Sequence, residues 1–446
     1  MTPGAKPASG YVFPEALSTS VKAVSGYRRL WVALSGGLDS TLLLHLTALY
    51  HSDVQAVHIN HQLQANAGET EVFCRDLCTE LGVPLTVRPV SVQLGAGPSE
   101  GLEEAARKAR YSAFEALLES GDVLLMAHHG DDQAETVLFR MFRGSGVAGL
   151  AGMPESRPLG KGYLARPLLG FERSELERHA QLAGLSWIED PSNVDQRFDR
   201  NFLRLSILPA VKKRWPGLNR RLQHSMGACL ESDFLSQRLA ELQWQMLGGH
   251  RRRLPVAGLN SLAQAEQKNL LRWWIQQAEY RPPSIRDWTQ VLHDLLQAAD
   301  DRSPELRAHG YSLRRFRNEL YLVPEQPDLP EGPVVLEPGQ SIVWGEWRVE
   351  LAPAATVKTD APPIRICTRQ GGERIRFCAE SPSKPLKKWL QEQAIPPWER
   401  HRLPLIFGGL EGERELIAIG DLWRSEQYCG SAPAAGWQLI VERDCN

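Results

Sequence analysis

The chain has 446 residues, enough for roughly two to four domains with cores of their own. Its 51 Lys and Arg stand against 53 Asp and Glu, a net charge of −2, which excludes a polycation held to nucleic acid by bulk charge; such binding must come from local basic patches. Seven scattered cysteines with no CxxC pair argue against a disulfide scaffold, the N-terminus lacks the apolar stretch of a secretory signal, and no run reaches the length of a membrane span, so a cytoplasmic protein without a membrane partner is expected.

The first half alternates between strand-like and helix-like segments. Arg29 to Leu34 reads as a buried strand and Asp39 to Tyr50 as a helix. Val54 to Asn60, Leu85 to Val90 and Val123 to Ala127 read as further strands. Helices are expected over Glu69 to Leu81, over Leu102 to Glu119, and from the cluster after Ala127 through Phe142. This alternation predicts an α/β fold with a parallel sheet covered on both faces. The first and fourth strands are almost wholly apolar, as central parallel strands are; the second and third are more mixed and belong nearer an edge. Gly144 to Gly162 reads as a loop and Leu176 to Leu185 as a helix. Leu218 to Leu247 is helical throughout, and Leu259 to Ala299 is helical with a break at Pro282-Pro283. Pro324 to Pro338 carries five prolines and reads as a linker. Short strands dominate beyond it, interrupted by a helix over Lys384 to Gln393. Three domains are expected: 1–215, a helical 216–325, and an α+β 335–446.

The loop Ser35-Gly36-Gly37-Leu38-Asp39-Ser40 lies between the first strand and its helix. Glycines let a backbone bend sharply and approach a ligand closely. Free N–H groups and the dipole at a helix N-terminus attract phosphate, and Ser35 and Ser40 add hydroxyl donors. A bare Asp39 would repel phosphate, so its natural role there is to hold Mg²⁺. Taken alone, Gly-Gly followed by Asp39 is also an ordinary turn with a helix cap. The loop has neither the Gly-Lys-Ser/Thr ending of a Walker loop nor GxGxxG.

A second cluster, His128-His129-Gly130-Asp131-Asp132-Gln133-Ala134-Glu135-Thr136, follows the fourth strand. Ligands of open parallel sheets bind beyond the carboxyl ends of the strands, so this cluster and the glycine loop share one cleft. Asp132 and Glu135 lie three apart on one helix face and can hold a cationic amine or a metal. As an isolated feature they are an acidic helix start. Val57-His58-Ile59-Asn60-His61 ends the second strand, where an adenine ring would lie, or His58 is a structural histidine. Glu103 to Tyr111 places Arg107 and Arg110 on a helix from which one of them can reach the cleft and stabilise phosphate charge. After the turn Glu189-Asp190-Pro191-Ser192-Asn193, Arg200 and Arg204 are spaced i, i+4, suited to bidentate phosphate contact. Near the C-terminus, Lys384, Lys387, Lys388, Arg400 and Arg402 are interleaved with Trp389 and Trp398, a composition that fits RNA contact through phosphate and stacking.

Together and in this order, SGGLDS, VHINH, EEAARKARY, HHGDDQAET, FRGSGVAGL, EDPSNVDQRFDRNFLR and KPLKKWLQEQAIPPWERHRLPL resemble the tRNA(Ile)-lysidine synthetase family of the PP-loop ATP pyrophosphatase superfamily. The glycine loop alone resembles only the superfamily; the RNFLR and KKWL to HRLPL segments narrow it to the family. The resemblance spans Ser35 to Leu405 and implies a Rossmann-like N-terminal PP-loop domain. It also implies a reaction: ATP adenylates the C2 carbonyl oxygen of the wobble cytidine in the CAU anticodon of tRNA(Ile), and free L-lysine attacks C2 and expels AMP. By this similarity Ser35 to Ser40 bind ATP, Asp39 helps place Mg²⁺, and Asp132 and Glu135 recognise lysine. His128 matches a cleft histidine near the nucleotide or target base. Arg107 or Arg110, and Arg200 or Arg204, match arginines assigned to phosphate or tRNA. No protein partner is implied. Three rivals are a cytidine thiolase of the same superfamily, which would need paired cysteines, a small-molecule amide ligase, and a non-catalytic RNA-binding protein.

Overall fold

The structure is a computed structural model that describes residues 10–60, 67–91, 102–189, 195–285, 287–297, 304–353, 363–377, 382–408, 415–425 and 437–443. It divides into two compact units, Met1–Ser236 and Gln237–Asn446.

The first unit is built on a six-stranded sheet in the order β3-β2-β1-β4-β6-β5. The strands are β1 (Arg29–Ala33), β2 (Val54–Asn60), β3 (Leu85–Pro89), β4 (Asp122–Leu125), β5 (Ser156–Leu159) and β6 (Gly162–Ala165). The helices are α1 (Glu15–Lys22), α2 (Leu38–Tyr50), α3 (Ala67–Leu81), α4 (Leu102–Leu117), α5 (Gly130–Phe142), α6 (Val147–Leu150), α7 (Arg173–Leu182), α8 (Asp199–Phe202) and α9 (Leu208–Arg214). A single π-helical turn, Leu203–Ile207, joins α8 to α9. The helix α10 (Leu218–Met246) follows and runs from the first unit into the second.

β1 pairs in parallel with both β2 and β4. Side chains alternate across a strand, so β1 feeds two cores. Leu30 and Val32 enter one with Leu42, Leu46 and Leu176. Trp31 enters the other with Phe114, Leu124 and Leu164. The apolar strands β1 and β4 are central neighbours and β3 is an edge, as their composition implied. The segment expected to be a loop from Gly144 to Gly162 behaves differently. It forms α6 and strand β5, which pairs antiparallel with β6. Its many Gly and Pro residues mark the tight turns of a hairpin rather than the absence of structure.

In the second unit, the helices Gln264–Gln277 and Trp288–Leu296 pack on a four-stranded antiparallel sheet that includes Tyr311–Phe316 and Glu319–Pro324. The region expected to be helical is thus helical with a sheet added. Its strand Tyr311–Phe316 carries the adjacent charges Arg314 and Arg315, which interrupt any apolar alternation. Beyond the proline-rich stretch, a five-stranded and a three-stranded sheet enclose a core around Trp344, Trp347 and Leu390. The helix Leu386–Glu392 buries Leu386, Trp389 and Leu390. No described helix is long and apolar enough to cross a membrane.

Candidate active site

The sheet reverses its winding between β1 and β4, and the segments after these two strands leave side by side at the topological switch point. One is the glycine loop. Gly36 has φ +83°, and a Cβ there would stand 3.0 Å from a Thr70 methyl and 3.4 Å from Cys74 Sγ. Both conformation and space therefore require glycine. The loop closes on itself through serines. Ser40 Oγ accepts from the Ser35 amide (3.1 Å) and donates to the Gly37 carbonyl (3.0 Å), and the two hydroxyls lie 3.0 Å apart. The first-turn amides of α2 have no intrahelical partners.

Asp39 sits in that first turn. Its Oδ1 is buried and unpartnered. Burial pushes its carboxyl up, with Asp132 adding to the rise and His129, Arg173 and Arg204 opposing it. An orphaned buried carboxylate oxygen fits a cation. No group of three or more His, Cys, Asp or Glu among the described residues could hold a metal alone. Mg²⁺ is commonly bound by one or two carboxylates plus substrate phosphates, so a lone Asp39 beside a phosphate loop fits this ion.

The segment after β4 supplies the other half. His129 caps α5: its Nδ1 accepts from the Asp132 amide (3.4 Å), and Asp132 Oδ2 accepts from the His129 amide (3.0 Å). With Nδ1 accepting, the ring proton lies on Nε2, which faces Asp39 Oδ2 at 3.7 Å and Asp132 Oδ2 at 3.5 Å. A buried histidine thus stands between the glycine loop and the acidic pair. Sequence reasoning quoted His129 within its cluster and singled out His128 instead. The only signal was its place directly before the helix, and histidine is not a favoured cap.

His128 is held neutral. Arg166 Nε donates to its Nδ1 (3.2 Å), and burial lowers its pKa to about 4, against the pull of Asp132 and aided by Arg166, Arg110 and His129. Asp131, the third acid of the cluster, points away and is structural. It accepts from Asn219 Nδ2 (2.7 Å), from the Arg173 amide (3.0 Å) and from Lys212.

Asp132 and Glu135 hold a cation already, the guanidinium of Arg204. Arg204 Nε reaches Glu135 Oε1 at 2.6 Å, and its Nη2 reaches Glu135 Oε2 at 3.0 Å and Asp132 Oδ1 at 3.1 Å. Glu135 is only 2% exposed. Burial raises its carboxyl pKa while Arg204 lowers it, the net being a rise. Burial works against the charge of Arg204, yet Glu135, Asp132 and Asp39 more than offset it and hold its pKa above the usual value.

The remaining candidates separate clearly. Arg110 is close enough for its charge to act on His128, whereas Arg107 pairs with Glu104 (2.7 Å) on the exposed face of α4. Arg200 lies over the Phe139 ring at 5.8 Å, away from the acidic pair. His58 is buried, its Nδ1 bonded to the Leu34 carbonyl (2.9 Å), and is a satisfied core histidine beneath the loop. His61 and Asp190 to Asn193 lie outside the described residues. In the second unit Lys387 and Lys388 are exposed on the outer face of their helix. Lys384 pairs with Glu392, and Arg400 Nε donates to the Ile395 carbonyl (2.6 Å). Arg402 is tied to Glu346 (3.1 and 3.2 Å) and to the Pro327 carbonyl (2.5 Å), so its contacts are structural.

The PP-loop domain family matches residues 13–211, the TilS substrate binding domain 254–321 and the TilS substrate C-terminal domain 364–441. The tRNA(Ile)-lysidine synthase of Serratia proteamaculans is 40% identical over 94% of this chain and 96% of its own length. That of Alkalilimnicola ehrlichii is 38% identical over 96% and 97%. The enzyme of Pseudomonas aeruginosa is 40% identical over 92% of each. The chain belongs to the tRNA(Ile)-lysidine synthase family. Like the other members of this family it is an ATP-using PP-loop enzyme. A solved U34-tRNA thiolase, NcsA from Methanococcus maripaludis, aligns over 48% of this chain and 78% of its own at 18% identity and TM-score 0.40.

Proposed function

We infer that this enzyme makes lysidine, joining L-lysine to C2 of the wobble cytidine in the CAU anticodon of tRNA(Ile). The observation that carries this reading is the cation seat of Asp132 and Glu135 beside the phosphate loop. A seat that grips the guanidinium of Arg204 has the charge and depth to grip the ammonium of an amino acid side chain. Lysine binding then requires Arg204 to give up at least part of its contact.

The chemistry runs in two displacements. The cytosine O2 attacks the α-phosphorus of ATP, the α–β phosphoanhydride bond breaks, and pyrophosphate leaves. The lysine amine, having lost a proton, attacks C2; the C2–O bond breaks and AMP leaves with that oxygen. Adenylation turns a poor leaving group into a good one. The amides of the Ser35 to Ser40 loop cradle the phosphates, and Asp39 would hold Mg²⁺, whose charge would neutralise that of the triphosphate. Arg110, on the His128 side of the cleft, supplies positive charge toward the nucleotide. Neutral His128, with Nδ1 occupied by Arg166, presents an N–H donor to the base or nucleotide. The cytidine must leave its stack to enter, which is comparatively cheap in an anticodon loop. Lys387, Lys388 and Arg400 are the basic groups of the second unit that suit tRNA backbone contact.

Among the described cysteines, Cys74 and Cys78 are ill suited to sulfur transfer. Burial raises the thiol of Cys74 to about 12 and that of Cys78 to about 11, which leaves both unreactive. The test is incubation of the purified protein with ATP, Mg²⁺, radiolabelled lysine and tRNA(Ile) bearing CAU. Label should enter the tRNA with release of AMP and pyrophosphate. Incorporation of sulfur, or none of lysine, overturns the reading.

A further inference from the structure

Asp132, Glu135, Phe139 and Phe142 follow one another at intervals of three, four and three residues along α5, so they form one stripe down a single helix face. The stripe begins at the cation seat and ends ten residues later, ~15 Å along the axis. Its far end is open: Phe142 is 67% exposed, and Phe202 of α8 is 45% exposed. The helices α5 and α8 pack together, and exposed aromatic rings on two such neighbours beside a cleft suit a binding face.

The charge around this end names the occupant. The Arg143 guanidinium lies 4.0 Å from the Phe139 ring centroid and that of Arg200 lies 5.8 Å from it, so one ring carries two cations. Arg140 is held close by through bonds to the Gly149 (2.9 Å) and Gly152 (2.8 Å) carbonyls; burial lowers its pKa, and the charges of Arg200 and Arg107 lower it further. Against these four arginines stand Glu104, which pairs with Arg107, and Asp199, 3.8 Å from Arg143. The surface is therefore aromatic and net positive. Single-stranded nucleic acid has the matching chemistry, with bases that stack on rings and guanidinium planes and phosphates that meet arginine.

We propose that the C-terminal half of the α5 stripe, with Phe142, Phe202, Arg143 and Arg200, is the platform on which the nucleotides flanking the reacting cytidine stack. The proposal rests on the function inferred above and adds where the rest of the loop lies. With ~3.4 Å per stacked nucleotide, the ~15 Å stripe accommodates about four, so the reacting base at the Glu135 end and its neighbours at the Phe142 end belong to one continuous strand. Stacking there holds the loop while one base is turned out into the cleft.

The experiment measures binding of the tRNA(Ile) anticodon stem-loop to the full-length enzyme at several salt concentrations, together with ATP binding and lysidine formation. Phe142→Ala should weaken stem-loop binding roughly 5- to 100-fold without changing the salt slope, and Phe142→Tyr should restore it. Arg200→Ala should lower the log–log salt slope by about 1. ATP affinity should be unchanged in Phe142→Ala, which also reports that the unit is folded. If the wild-type protein modifies tRNA and Phe142→Ala binds the stem-loop as tightly as wild type, the platform is overturned while the function stands. Loss of self-association in place of RNA affinity would assign the face to a protein contact and overturn it equally. If the wild-type protein itself fails to ligate lysine, the function falls first.

Discussion

Two partly buried arginine clusters in this protein look alike and do different work. In the first unit, Arg204 lies in bidentate contact with Glu135 and touches Asp132, with Asp39 near enough to feel its charge. In the second, Arg402 and Arg443 share Glu346, and Arg443 also reaches Glu399. Two carboxylates facing two arginines make a closed account, and Arg402 Nη2 donates to the Pro327 carbonyl as well. Three carboxylates facing Arg204, with Arg173 also acting on Asp39, do not. The first cluster has negative charge to spare and a buried oxygen with no partner, the state of a site that awaits cations. The difference teaches that the balance of charge, more than the quality of any one ion pair, separates a binding site from a structural rivet.

That contrast can be broken most sharply at Asp39. Asp39→Ala should reduce tRNA-dependent pyrophosphate release by about 10²–10⁴-fold, with stem-loop affinity within about twofold of wild type. Equal loss of RNA binding would make the loop a structural element. The next test sets the clusters against each other. Glu135→Gln should raise the KM for lysine by a factor on the order of 10² while pyrophosphate release in its absence persists. Arg402→Met should leave the lysine KM alone and lower stability by about 2–4 kcal/mol, read from urea unfolding of the second unit. An exchange of these two phenotypes would reverse the assignment.

The smallest effect concerns acid. Burial lowers the pKa of His45 and His128, both in the first unit, from the ordinary 6.5 to about 4. Between these values the unfolded chain binds more protons, so stability is full above pH 6.5 and falls as the pH drops toward 4. Each such group can contribute a slope of up to ~1.4 kcal/mol per pH unit in that window. The difference in urea midpoint between pH 7 and pH 5, followed by circular dichroism, should shrink in His45→Gln. An unchanged difference would place the acid sensitivity elsewhere.

Much of the first unit was legible because each of its strands and helices has one period and one job. Val54–Asn60 is bounded as its pattern implied, and β1 with β4 took the central positions that their apolar runs demanded. The β5–β6 hairpin was hidden since four-residue strands joined by a glycine turn carry no sustained alternation. At the site, Asp39, Asp132 and Glu135 could be picked by residue type and placement. Their common neighbour His129 could not, because its role follows from a ring nitrogen capping a helix that begins only one residue later. Nor could sequence spacing reveal that Arg204 turns toward the acids and Arg200 toward Phe139, since the two lie four apart and would share a face in a regular helix.

The π-turn at Leu203–Ile207 explains how one short stretch of chain serves several customers on α5. Upstream of it Arg200 meets the aromatic end, within it Arg204 meets the acidic end, and downstream Lys212 meets Asp131. A π-turn holds one residue more than an α-turn, which offsets the phase of everything after it by about 100°. It acts as a vernier between two sets of contacts. Deleting a single residue such as Leu205 would tighten the turn into a plain helix and leave either the Arg204 grip or the Lys212 grip out of register, so the length of this segment is as much a part of the site as its side chains.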